Sequence, residues 1–137
     1  MEKCEFKPDR DSEGIEFRNC LSSADVVDHY FEDCSFFNCV LSDISLERSR
    51  FSDCRFIDCD LSLARVEGSV FNGSLFQGCR LLGIDWRRCN QNMFSCRFES
   101  SLLDSCLFDG MKLRRGSFSK CSMRSALFEG CDLQEAS

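Results

Sequence analysis

Twelve cysteines and a single histidine are the side chains in this 137-residue sequence with the most chemistry to offer, and their spacing assigns them little of it. A structural zinc site draws on cysteines two to four residues apart with a second matching pair. Here the close pairs Cys34/Cys39 and Cys54/Cys59 are five apart and the only histidine is His29, so no metal is expected. In a secreted chain the cysteines would read as a disulfide framework. The segment Met1 to Phe6 lacks the apolar stretch of a signal peptide, so reduced thiols in a cytoplasmic protein are the expectation. One histidine, no glycine-rich phosphate loop and no nucleophile beside a base leave no catalytic constellation, so neither an enzyme nor a cofactor is expected. A formal charge of -6, with both signs interspersed, lacks the basic stripe of a nucleic-acid binder, so no direct nucleic-acid partner is expected. No segment approaches the ~20 apolar residues of a membrane span, so no membrane partner is expected either.

The elements that must position these side chains follow from a five-residue period. From Phe31 in steps of five stand Phe31, Phe36, Leu41, Leu46, Phe51, Phe56, Leu61, Val66, Phe71, Phe76, Leu81 and Trp86, all large and apolar. Two places before most of them is a small residue: Cys34, Cys39, Ser49, Cys54, Cys59, Ala64, Ser69, Ser74 and Cys79, with Ile44 and Ile84 larger. Five matches neither the 3.6 of a helix nor the 2 of a strand, so each unit needs a corner. Short extended pieces joined by regular turns wind into a solenoid whose coils hydrogen-bond to one another. Phe31, Phe51 and Phe71 recur after twenty residues, as do Phe36, Phe56 and Phe76, and Leu41, Leu61 and Leu81. Three or five units per coil would mix Phe with Leu, so the section is four-sided. The expected fold is an all-β, right-handed quadrilateral β-helix of about six coils, one domain over 1–137 with an irregular coil or cap over 1–20.

After Trp86 the count slips: Gln91 falls where an apolar residue is due and Met93 resumes two places late, followed by Phe98, Leu103, Phe108, Leu113, Phe118, Met123, Phe128 and Leu133. A two-residue bulge is expected at 87–92, and irregular loops on regular scaffolds often carry function. Toward the N-terminus, Cys4 and Phe6 form an isolated unit, 7–14 a polar loop, and Ile15 and Phe17 re-enter the interior. Residues 23–28 admit a degenerate coil, favoured by the register of Leu21 and Val26, or a short helix starting at Ser23.

Ten cysteines (Cys4, Cys34, Cys39, Cys54, Cys59, Cys79, Cys96, Cys106, Cys121 and Cys131) take the small inward slot as packing residues, leaving Cys20 and Cys89 as candidate exposed thiols. Outward charge is densest on the fourth face, where Asp25, Asp28, Glu47, Glu67, Asp85, Asp109 and Glu129 outnumber Arg48, Arg65, Arg87 and Arg88. Such a column offers itself to a partner that grips phosphates; it also serves simple solubility. The candidate partner-binding residues are Glu47, Glu67, Asp85, Asp109 and Glu129 with Arg87, Arg88 and Asn90 of the bulge. Outward apolar pairs, Phe37 with Ile57 and Leu107 with Leu127, suggest contact with a partner or a second copy.

The stretch from Phe51 to Val66, with Cys59-Asp60-Leu61-Ser62-Leu63 and Cys131-Asp132-Leu133-Gln134-Glu135, resembles the pentapeptide-repeat family over roughly residues 17–135. The resemblance implies a rod of B-DNA-like width. It further implies a protein partner, because the best understood bacterial members bind DNA gyrase or topoisomerase IV and protect them from quinolones or peptide toxins. The segment Cys79 to Trp86 before a bulge looks like the resistance-type subgroup. The apolar C-terminal helix with which many members cap the coil is not seen, so the last coil is expected to be covered by self-association as a homodimer, or the chain is a fragment. The functional expectation is therefore a non-catalytic interaction solenoid that mimics DNA toward a type II topoisomerase; the alternative is a scaffold whose partner is unrelated to DNA topology.

Overall fold

The computed structural model describes residues 4–113 and 116–132, and over them the chain is the expected four-sided β-helix of about six coils, without an α-helix. All pairings between coils are parallel. On the first face Tyr30–Glu32 pairs with Arg50–Ser52, which pairs with the start of Val70–Gln77. On the second, Ser35–Phe37 pairs with Arg55–Ile57 and then with the end of Val70–Gln77, which continues to Ser95–Glu99 and Ser117–Ser119. The third and fourth faces are held by single bridges such as Val40 to Asp60 to Arg80 and Ser45 to Arg65.

The interior explains the period. Phe31, Phe36, Phe51, Phe56, Phe71 and Phe76 are buried. Along a column the rings stack at the coil spacing, Phe36 to Phe56 at 4.6 Å and Phe56 to Phe76 at 4.7 Å. Across columns they meet edge to face, Phe31 against Phe36 at 5.5 Å and 70°. Burial of each ring contributes roughly 1.5 to 3 kcal/mol. The small inward slot is polar for a reason that packing alone does not supply. Ser49, Ser69 and Ser74 donate their hydroxyls to the carbonyls of Val26, Leu46 and Phe51, and Cys54, Cys59 and Cys79 point their thiols at those of Phe31, Phe36 and Phe56. Serine and cysteine thus fill the slot and offer a donor to a carbonyl of the preceding coil, while Ala64 fills it by size alone.

Corners impose a second rule. The residue two places after each interior side chain adopts positive φ, as at Asp33, Asn38, Asp43, Asp53, Asp58, Gly73 and Gly78. Asn, Asp and Gly tolerate that left-handed conformation best. Part of the chain's acidity is therefore a backbone requirement.

Several N-terminal expectations are overturned. The first coil is spaced nineteen residues from the next, pairing Phe17 with Phe36 and Ser12 with Phe31. Leu21 consequently bridges Val40 and stands outside, while Ser22 is buried. The ring of Phe6 fills the resulting space, 5.1 Å from Phe17 and 6.0 Å from Phe36. Ile15 is exposed, and the supposed polar loop contains a strand, Asp11–Glu13. Residues 23–28 form no helix, and Val26 is buried in register. Cys4 is exposed although in register with Cys20, while Cys20, expected as an exposed thiol, is half-buried in the inward column under Cys39, and Cys89, likewise expected exposed, is buried.

Candidate functional site

On the fourth face two outward columns flank the interior residues. One runs Asp25, Ser45, Arg65, Asp85, Leu107 and Leu127; the other Glu47, Glu67, Arg87, Asp109 and Glu129. All five predicted carboxylates lie on this face, and Asp109 does stack on Glu129, whose backbone N–H donates to its Oδ1 at 2.9 Å. The face is not uniformly anionic, however. Arg48 pairs with Asp28 at 2.9 Å and with Glu47 at 3.5 Å, Arg65 with Asp25 at 3.6 Å and Asp43 at 3.5 Å, and Arg87 with Asp85 at 2.8 Å. The guanidinium hydrogen bonds of Arg48 and Arg87 hold the carboxyls of Asp28 and Asp85 below the ordinary aspartate range. Among the described residues Glu67, Asp109 and Glu129 take no ion pair. The arginines were visible in sequence; their partners, from two residues to two coils away, were not.

The bulge lies where expected and is built as two short 3-10 turns, Trp86–Arg88 and Gln91–Met93. Asp85 caps the first by accepting from the Arg87 N–H, and Asn90 caps the second by accepting from that of Asn92. The Gln91 amide donates to the carbonyls of Trp86, Arg87 and Cys89 at 3.0 to 3.2 Å. Asn90 is therefore a structural cap, half-buried, while Arg87 and Arg88 stand exposed on the fourth face, both against Asp85. The register shift ends only between Ser95 and Cys96, where Cys96 comes opposite Ser74. Met93 does not resume the interior count: it is exposed, and Phe94 packs inward at 5.9 Å from Trp86.

The apolar pairs also sort themselves. Phe37 and Ile57 are register partners on the second face, half-buried, and Arg18 lies 4.1 Å over the Phe37 ring. Leu107 bridges Leu127, of which the latter is 49% exposed. Sequence reasoning missed Leu63, 57% exposed at a corner of positive φ where the five-residue count elsewhere puts Gly or a polar residue among the described corners. That register was sufficient to find it. The thiols of Cys54, Cys59, Cys79 and Cys106 face carbonyls, burial pushes the Cys54 thiol up to about 12, and His29 Nδ1 lies 2.9 Å from the Val27 carbonyl. Leu133, expected as the last interior residue, lies outside the described residues.

The fold and this surface define a solenoid of five-residue units with a filled interior and variable outward columns. Residues 29–93 match the family model for the pentapeptide repeat region, so this part of the chain is built of pentapeptide repeats. No curated protein matches the sequence. Among solved structures, the chain is similar to a trypsin-treated form of QnrB1, a plasmid-mediated fluoroquinolone resistance protein, at 20% identity and a TM-score of 0.43, covering 92% of this chain and 73% of that one. It is also similar to Rfr23, a pentapeptide repeat protein from the cyanobacterium Cyanothece 51142, at 13% identity and a TM-score of 0.42, covering 69% and 64%. No helix among the described residues is long and apolar enough to cross a membrane.

Proposed function

We propose that the chain is a non-catalytic, cytoplasmic interaction solenoid that binds a type II topoisomerase, DNA gyrase or topoisomerase IV, by presenting the fourth face as a substitute for the DNA backbone. The unpaired carboxylates of Glu67, Asp109 and Glu129 carry this reading. They stand in one column on a straight scaffold, with the exposed guanidinium groups of Arg87 and Arg88 between them. A basic surface evolved to hold phosphates meets stacked anions in such a column. Glu47 and Asp85 join them in outline but carry arginine partners, so the anionic run is strongest toward the C-terminal coils.

The same pairing favours a second reading, a scaffold whose partner is unrelated to DNA, because salt-bridged carboxylates offer little net charge to a phosphate-binding surface. A gyrase supercoiling assay with and without a quinolone separates the two. Protection that weakens in the double variant Asp109→Asn/Glu129→Gln supports the topoisomerase; no effect at micromolar protein leaves the scaffold. Light scattering at tens of micromolar checks the proposed homodimer through the C-terminal coil, where Phe118 and Phe128 are only partly buried and Met123 is exposed; a monomer discards it.

A further inference from the structure

The edge between the third and fourth faces changes character halfway along the rod. Its corner residues run Asp43, Leu63, Gly83, Ser105 and Ser125, all at positive φ. Among the described residues, twelve of the thirteen non-glycine residues in that conformation are Asn, Asp, Ser, Arg or Lys, and Leu63 is the exception. A leucine there costs stability and, at 57% exposure, recovers little by burial. Its neighbour on the next coil is Gly83: a Cβ added to that glycine would lie 2.8 Å from Leu63 Cδ2. The glycine lets the leucine lie flat along the edge, where its N–H also reaches the Leu82 carbonyl at 2.9 Å. From that point on, small corner residues separate Leu82 on the third face, whose column continues through Asp104 and Arg124, from a leucine row on the fourth, Leu107 and Leu127, all three leucines half-buried or exposed.

We propose that this edge seats an amphipathic helix of a partner protein. Leu63, Leu82, Leu107 and Leu127 take its apolar stripe, and Asp109 and Glu129 take a row of lysine or arginine along one flank. Coils repeat at ~4.8 Å and helical turns at ~5.4 Å, so a helix laid along the rod keeps its stripe over the leucines within about 2 Å across three coils. Charge sets the orientation. Asp109 and Asp104 each accept the backbone N–H one coil on, of Glu129 and Arg124, but Asp109 is followed in its column by the carboxylate of Glu129, whereas Asp104 also accepts the Ser122 hydroxyl at 2.7 Å and is followed by Arg124. On that side the exposed guanidinium of Arg124 disfavours a basic flank. The proposal rests on the reading of the chain as a protein-binding solenoid and requires no topoisomerase.

The test uses the full chain and three labelled synthetic 18-residue peptides: one with a leucine stripe flanked by lysines on one side, one with glutamates in their place, and one scrambled. By anisotropy the lysine peptide binds about tenfold tighter than the glutamate peptide, and circular dichroism shows it gaining helix on binding. Asp109→Asn/Glu129→Gln removes that preference. Leu63→Asn with Leu127→Ser weakens the lysine peptide about tenfold, and Leu63→Asn alone raises the melting temperature, so lost binding does not reflect lost folding. Equal binding of all three peptides, no binding at about 100 µM, or a dimer of the chain that Leu127→Ser dissociates would each overturn the helix. Any of these alongside topoisomerase protection would sink the edge and leave the fourth face standing.

Discussion

Residues 30–86 and residues 87–99 solve one problem, stacking a coil on its predecessor, in different ways. In the first region the interior does the work: rings stack at 4.6 to 5.0 Å, and inward Ser and Cys answer the carbonyls of the coil before. In the second the ladder is interrupted, and the caps of Asp85 and Asn90 with the three-way clamp of Gln91 substitute for it. Trp86 compensates inside, meeting Phe71, Phe76 and Phe98 edge on at 5.5 to 5.7 Å. The contrast teaches that the strict period is a demand of the core. An insertion is tolerated where local side chains can replace lost backbone partners.

The largest expected effect tests that contrast in the core. Phe56→Ala should cost ~3 to 5 kcal/mol, through lost burial and a cavity between two stacked rings. Phe94→Ala, removing a half-buried ring beside the bulge, should cost under about half as much. Urea unfolding monitored by circular dichroism measures both, and equal costs would mean the bulge coil is as tightly determined as its neighbours.

The alkaline limb of stability comes next. Burial raises the thiol of Cys54 to about 12 and those of Cys89 and Cys96 further above their ordinary value of 9.0. In the unfolded chain these thiols ionise near 9.0, so above that pH the unfolded state binds fewer protons than the folded one. Their contribution is complete below pH 9.0 and falls as pH rises toward the folded values, by ~1.4 kcal/mol per pH unit per thiol. Melting temperatures between pH 8 and 11 should therefore decline steeply under reducing conditions. Cys54→Ser in the regular coils and Cys89→Ser in the bulge should each flatten the decline; a slope unchanged by both would break the argument.

How much of this was readable beforehand depended on whether one residue or a pair of coils set the outcome. The interior columns, the four sides and the two-residue slip were legible because each inward position is fixed by its own side chain. The nineteen-residue first spacing was not, since Leu21 looks like a core residue until Phe6 is seen filling the space over Ser22. Met93 misled in the same way: it fits the count, but the bulge carries the strand one place further and Phe94 turns inward. On the fourth face the acidic residues were countable. Their neutralisation was hidden because the arginines reach across coils, Arg48 to Asp28 one coil away and Arg65 to Asp25 two coils away.

A smaller effect isolates the clamp. Gln91→Ala removes a donor shared by three carbonyls and should cost ~1 to 2 kcal/mol, with faster amide exchange confined to 87–94. Exchange that quickened equally across residues 30–86 would show the two regions to be one cooperative unit rather than a ladder with a spliced insert.

The smallest expected change runs the other way and bears on why corners carry so many carboxylates. Leu63→Asn places a residue that tolerates positive φ where a leucine is held at 61°, and should stabilise the chain by about 1 kcal/mol. Asp58→Leu, at a corner held at 54°, should destabilise by a similar amount. The pair separates backbone strain from charge, because only the second change removes a carboxylate. If both were neutral, the corners would be indifferent to residue type, and the acidic composition would need an origin in the partner. If both follow the stated signs, the corner aspartates belong to the fold, leaving Glu67, Asp109 and Glu129 as carboxylates placed for something outside it.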